Sequence, residues 1–251
     1  MTLPKVSIVI PTYRINSKPY LDLCIDAIRN LDYPKELLDI NIISPTTYIP
    51  AYDNVKNLHH PDNNRSFAQA VNYGINNSNQ SSKFVFLLSD DTIPTRQSLK
   101  NMVMTCADHM LFMQALSNCD NHWLYNLVFM LNGKPIMQRF FRMEDVGDDV
   151  HHMKNASSLY QPGLLFPHTL CTYASLIPRR VIDRVGLFDE RFRDGYEDSD
   201  YIYRCKKADV RPAVCLNALV WHFGGVTTSD VVTPELSEKN RRLFGEKWIN
   251  E

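Results

Sequence analysis

Three places in this 251-residue chain set out side chains able to do chemistry. Asp90 and Asp91 directly follow the apolar run KFVFLL at 83–88. Two carboxylates at the end of a buried strand repel each other and lose water together. A divalent cation relieves both effects, and hard oxygen donors of this kind suit Mg2+ or Mn2+. The competing reading is a solvated turn capping the next helix, since aspartate is common in turns. The second place is Phe188-Asp189-Glu190, followed by Gly195-Tyr196-Glu197-Asp198-Ser199-Asp200. Acids in a first helical turn are favoured by the dipole, by roughly 0.3–1 kcal/mol each. Asp200 and Arg204 are also spaced to pair on a helix surface. A well-capped helix start therefore explains part of the pattern. It leaves Phe188, Phe192 and Tyr196 among the acids unexplained. Aromatic neighbours desolvate a carboxylate and raise its pKa, as a general base requires. The third place is Val220-Trp221-His222-Phe223-Gly224-Gly225, where a histidine ends an apolar strand just before two glycines. Alone, such a histidine reads as a core residue. Beside two acidic clusters it becomes a candidate ligand.

The elements that must position these groups are readable in part. Residues 5–10 (KVSIVI) are a short β-branched run closed by Pro11, which predicts a buried first strand. Ser17 offers a helix N-cap with Pro19 in the first turn, and Leu21, Cys24, Ile25, Ile28 and Leu31 follow at helical spacing. Residues 39–43 predict a second strand, 55–58 a weak third, Ser66 to Ile75 a helix and 83–88 the strongest strand of the chain. Strand and helix alternate, which predicts a mostly parallel sheet with helices on its faces. Ligands of such sheets bind beyond the carboxyl ends of the strands. Pro11-Thr12-Tyr13 and Ser89-Asp90-Asp91 lie at two of those ends. Further on, a helix is expected from about Thr95 to about Asp108. Asn132-Gly133 between the apolar runs 124–131 and 135–141 predicts a type I′ hairpin. Residues 142–163 read as a long loop, 171–177 as a strand, and 178–185 as a short helix ended by Gly186. Glu197 to about Ala208 reads as a helix, 213–222 as one or two strands, and Pro234 to Trp248 as an amphipathic helix. There is no internal repeat or linker.

Taken together these segments resemble the family 2 glycosyltransferases of GT-A fold. KVSIVIPTYR is similar to that family's opening strand and nucleotide loop, and NNRSFAQAVNYGI to its donor-loop helix. FVFLLSDDTIP is similar to its metal-binding aspartate motif. VGLFDERFRDGYEDSDYIYRC is similar to its acceptor-side motif, followed by an apolar strand ending in Trp221-His222. The marks run in order from residue 5 to about 225. The asparagine pair 63–64 and the Glu-Asp-x-Asp segment are most similar to the rhamnosyl- and galactofuranosyltransferase branch. Two positions depart from the pattern. The family usually has an acid after the second strand, where this chain has Ile43-Ser44-Pro45-Thr46-Thr47, and Ser66 stands where the donor-loop glycine is usual.

The resemblance implies an α/β GT-A architecture: a Rossmann-like nucleotide-binding sheet, helices on both faces and a small acceptor-side subregion. It implies one domain over residues 1–251. A nucleotide-sugar-binding half would span 1–95, an acceptor-binding half 96–225, and a C-terminal helix would lie within 226–251. It implies an inverting transferase that moves a sugar from a nucleotide-diphosphate donor to a hydroxyl of a glycan or glycolipid. Asp198 would be its base, with Glu197 orienting the acceptor. Asp91 and His222 would hold a divalent cation, Mn2+ or Mg2+. Donor contacts would come from Pro11, Thr12, Tyr13, Ser44, Asn64, Arg65, Asn72 and Asp90.

Composition bounds the alternatives. With 27 basic and 28 acidic side chains the formal net charge is −1, so no global basic field points to nucleic acid. Six cysteines occur without a CxxC pair, and we expect reduced, mostly buried thiols. The start lacks the pattern of a signal peptide and no run reaches the roughly 18 apolar residues of a membrane span. We therefore expect a cytoplasmic protein. Trp123–Leu131 is the segment suited to a peripheral contact with a lipid-linked acceptor, although a hairpin core is the plainer use. Two other functions compete. A sugar nucleotidyltransferase would carry a glycine-rich basic phosphate loop, and PTYRINSKP lacks glycine. A non-catalytic glycan-binding relative would have no need of Asp91, Asp198 and His222 together.

Overall fold

The computed structural model describes residues 2–12, 18–44, 52–61, 66–117, 162–168, 170–224 and 232–249. The expected hairpin around Asn132-Gly133, nearly all of the 142–163 loop, and Tyr13, Asn64 and Arg65 lie outside them.

β1 (Val6–Pro11) is the hub of the parallel part of the sheet. Val6, Ile8 and Ile10 pack into one core layer and Val9 into the other, each fully buried. A strand covered on both faces reads as an unbroken apolar run. β2 (Leu38–Ser44) and β4 (Phe84–Leu88) flank β1 in parallel, and β3 (Val55–His59) runs parallel to β2. Beyond β4 the sheet becomes mixed. β8 (Ala174–Pro178) pairs antiparallel with β4, and β6 (Leu111–Ser117) pairs antiparallel with β8 and parallel with β9 (Arg211–His222). β5 (Thr92–Pro94) and the two-residue β7 (Leu164–Leu165) both pair antiparallel with β9. The spatial order is β3-β2-β1-β4-β8-β6-β9-β5.

Helices cover both faces. α1 (Lys18–Arg29) and α3 (Ser98–Cys106) close one layer through Leu21, Cys24, Ile25, Ile28, Leu99 and Met102. α2 (Phe67–Asn77), α4 (Arg179–Val185) and α5 (Glu197–Lys207) close the other. Ser66 caps α2 in a full capping box with Gln69. Gly186, at φ 89, ends α4 as expected. α5 carries Glu197, Asp198 and Asp200 in its first turn and Arg204, Lys206 and Lys207 in its last, in line with its dipole. α6 (Pro234–Trp248) starts at Thr233, whose hydroxyl accepts from the Leu236 amide, with proline in its first turn. Among the described cysteines all five are free and four are buried; Cys171 is exposed. No helix among the described residues is long and apolar enough to cross a membrane.

Candidate active site

The carboxyl ends of β1, β2 and β4 point the same way. Thr12 is buried just past β1, its amide donating to the Ile43 carbonyl at 2.8 Å. Ser44, also buried, closes β2, and its carbonyl accepts from the His60 amide at 2.9 Å. Asp90 and Asp91 follow β4, and each is only 2% exposed. They lie close enough to Cys24 of α1 that, after burial itself, their negative charge helps push its thiol pKa well up.

The tight turn after β4 brings in the third sequence feature. The Thr92 amide donates to the Ser89 carbonyl at 3.1 Å, and Thr92 then pairs with His222 across the β5–β9 ladder. That register sets the His222 Nε2 3.2 Å from Asp91 Oδ1, and the Phe223 amide donates to the Asp91 carbonyl at 3.1 Å. An aspartate and a histidine 131 residues apart are thus joined by a three-residue strand.

The donor set fits a hard divalent ion. Two neighbouring ligands of an octahedral shell, each about 2.1 Å from the ion, stand roughly 3 Å apart. The observed oxygen–nitrogen separation matches that spacing. Among the described residues no cluster of three or more His, Cys, Asp or Glu is placed to hold a metal. Mg2+ and similar ions commonly take one or two protein ligands and complete their shell with phosphate oxygens and water.

Asp198 approaches from another direction. The dipeptide Thr172-Tyr173, just before β8, links it to Asp91. The Thr172 backbone amide reaches the Asp198 carboxylate. The Tyr173 carbonyl accepts from the Ser89 amide at 2.7 Å, and the Tyr173 ring stacks on His222 with centroids 4.6 Å apart. Ser89 and His222, which flank and contact Asp91, and Asp198 thus all meet one short segment at one end of the sheet. Gln114 of β6 fixes that segment, donating to the Tyr173 hydroxyl and accepting from the Cys171 amide at 2.8 Å.

The acid pair is electrostatically unusual. Glu197 is buried, and its pKa is pushed up to about 8, first by burial and then by the charge of Asp198. Asp198 keeps part of its surface accessible, yet burial also raises its pKa, against the opposing pull of its own and the Thr172 backbone amides. Adjacent carboxylates in a poorly solvated place retain a proton at neutral pH. Asp200 plays another part. Fully buried, it accepts from Arg204 Nε at 2.9 Å, Lys247 Nζ at 2.7 Å and Trp248 Nε1 at 2.9 Å. Glu190, in the Phe-Asp-Glu loop, accepts from the Asn72 side-chain amide at 2.8 Å.

Asn72 is used in the same way. Its side chain donates to the Phe188 carbonyl and accepts from the Phe188 amide, both at 2.9 Å, so it fastens α2 to the Phe-Asp-Glu loop. Phe188 stacks on Tyr201 at 4.3 Å, while Phe192 and Tyr196 pack against Phe244 of α6. The aromatics among the acids are thus the anchors of the loop. Between them Asp194, Gly195 and Tyr196 have φ values of 49°, 156° and 70°. For the two non-glycine residues this costs of order 1–3 kcal/mol each, met by surrounding contacts. Sequence reasoning missed Thr172, Tyr173, Asp194 and Asn240. Only Asn240 leaves a local signal, a polar residue in the stripe Leu236, Asn240, Phe244, Trp248 at a spacing of four.

A parallel half-sheet joined through β4 to a mixed half, with paired acids at the tip of β4, is the GT-A arrangement. The chain belongs to the family described as Glycosyltransferase like family 2, which it matches over residues 4–245. No curated protein sequence matches it. Solved structures show the same fold at low identity. S. aureus TarS is 15% identical with a TM-score of 0.62, over 98% of this chain and 40% of that one. A mannosyltransferase from Pyrobaculum calidifontis, PcManGT, determined with GDP-Man and Mn2+, is 16% identical with a TM-score of 0.58, over 88% and 57%. GalNAc-T7, determined with UDP, GalNAc and Mn2+, is 11% identical with a TM-score of 0.67, over 100% and 49%. The chain thus spans between about two-fifths and three-fifths of the length of these relatives.

Proposed function

We propose that this chain is an inverting glycosyltransferase acting on a nucleotide-diphosphate sugar and a hydroxyl of a glycan or glycolipid. The observation that carries it is the attachment of both Asp91–His222 and Asp198 to Thr172-Tyr173. That supports reading Asp91–His222 as a cation-binding pair and Asp198 as the proton acceptor of one site. The relatives point to the donor class, since TarS has been determined with UDP-GlcNAc and PcManGT with GDP-Man. The asparagine pair 63–64 and the Glu-Asp-x-Asp segment favour the rhamnosyl- and galactofuranosyltransferase branch without naming the sugar.

Asp91 and His222 would hold Mn2+ or Mg2+, which when bound supplies a Lewis acid for the diphosphate. Thr12, Ser44 and Asp90, with Pro11, Tyr13, Asn64 and Arg65, would line the nucleotide and donor sugar. Asn72 would support that lining from behind, through Phe188. Asp198 would accept the acceptor's hydroxyl proton as its oxygen bonds the anomeric carbon. The bond to the nucleotide diphosphate breaks in the same displacement, its electron pair leaving with the diphosphate. One base and no protein nucleophile means inversion. Glu197, protonated beside it, would orient the acceptor.

The test uses UDP- and GDP-sugars with Mn2+. Asp198→Asn should leave donor binding within about twofold and lower turnover by about 10²–10⁴-fold, the usual size of a general-base contribution. Retained turnover would remove Asp198 from its role.

A further inference from the structure

The C-terminal helix α6 (Pro234–Trp248) grips the loop that precedes the acid pair at two points. Asn240 is 1% exposed. Its Nδ2 donates to the Arg193 carbonyl at 2.8 Å and its Oδ1 accepts from the Arg193 amide at 3.4 Å, so one amide side chain answers one peptide unit. Two turns further along, Lys247 bridges Asp189 at 2.6 Å and Asp200 at 2.7 Å, tying together the two ends of the segment that contains Glu197 and Asp198. Phe244 fills the space between them against Phe192, Tyr196 and Tyr203. From the opposite side, Asp194 accepts from the Phe67 amide at the start of α2, at 3.0 Å. Between these grips lie the three positive-φ residues 194–196, and the Gly195 amide donates to Glu197 Oε2 at 2.5 Å. Such backbone persists only where its surroundings over-determine it.

We propose that Asn240 and Lys247 are positioning residues. They hold residues 193–196 so that Glu197 and Asp198 stay side by side at the Thr172 amide. This rests on the reading of Asp198 as the base. α6 would then tune the acid pair without touching either substrate.

The test is a carboxyl-carbon NMR titration of Glu197, with amide exchange of residues 193–198, in the full chain. It compares Asn240→Ala, Lys247→Met and a control, Thr233→Ala. The control removes the α6 cap, which accepts from Leu236 at 3.2 Å, and leaves both grips intact. Groups facing Glu197 include Asp198, Asp194 and the Gly195 amide, and none is altered by these substitutions. In Asn240→Ala and Lys247→Met the Glu197 midpoint should fall by about one pH unit, as expected of a carboxyl regaining solvent. Exchange across 193–198 should rise tenfold or more, while Thr233→Ala changes neither. Unchanged values in folded Asn240→Ala and Lys247→Met, or equal changes in Thr233→Ala, would reduce α6 to a stabilising helix. If Asn240→Ala does not fold, Lys247→Met decides alone. The titration needs no donor, so its failure leaves sugar transfer standing, and failure to transfer sugar leaves the titration valid.

Discussion

Glu197 and Asp198 shift in the direction opposite to Asp189. Asp189 is held well below the usual carboxylate range, first by Arg191 and then by Lys247, so its contribution to stability is present above the ordinary pKa and lost only in strong acid. Glu197 has the opposite sign. Its folded pKa is about 8 against 4.5, so between those values the native state binds more protons than the unfolded chain. Stability should therefore decline as pH rises from about 4.5 to about 8, then level off. Thermal melts across that range check it, and Glu197→Gln should flatten the slope. An unchanged slope would mean the carboxyl is not held protonated. If Asp198 is the base, turnover rises with pH as its raised carboxyl loses its proton. Asp91, Asp198 and His222 were legible because each sits in a short motif beside a recognisable strand or helix. Thr172 and Tyr173 were not, since LCTYASLI reads only as a strand and its role comes from pairing with distant chain.

At the scale of elements, α2 shows how closely the helices pack on the sheet. A methyl group added at Gly74 would lie 2.5 Å from Val9 Cγ1 and 2.7 Å from Ile43 Cδ1, both fully buried. Overpacking of this kind costs about 1–3 kcal/mol, and the helix gains about 1 kcal/mol when alanine replaces glycine. Gly74→Ala should therefore destabilise the chain by roughly 1 kcal/mol in urea titration. An equal or higher midpoint would show that the α2–sheet contact has room. The regular elements were readable where one period dominated: α2, α4, α6 and the first four strands fall close to their expected bounds. β6 was not, because all seven of its residues are buried, Gln114 and Ser117 included, so its sequence shows no alternation of apolar and polar positions. β5 has three residues and β7 two, too short for any period. β9 was left as one or two strands for a physical reason. It is continuous, but its register against β6 jumps from Cys215 to Leu219, leaving three residues between the paired positions.

For the molecule as a whole, the change from parallel to antiparallel pairing at β4–β8 does the organising. It brings the Thr172-Tyr173 corner beside the carboxyl end of β4 and lets β9 deliver His222 there from the far edge. Nucleotide, cation and acid pair would then bridge both halves of the sheet, so occupancy should stabilise the whole chain. Ligand at 100 times its Kd adds about 2.7 kcal/mol. In a chain of this size that is roughly 5–10 °C in Tm. UDP or GDP with Mn2+ should produce such a rise, and EDTA should remove most of it. Asp91→Ala and His222→Ala should each lose the cation-dependent part while melting normally without ligand. Because Asp91 and His222 stand at different places in the sheet, one at the β4 tip and one at the end of β9, equal losses would mean that a cation joins them. An undiminished rise in Asp91→Ala, or in EDTA, would mean that nucleotide binds without the cation and that the pair serves only the fold.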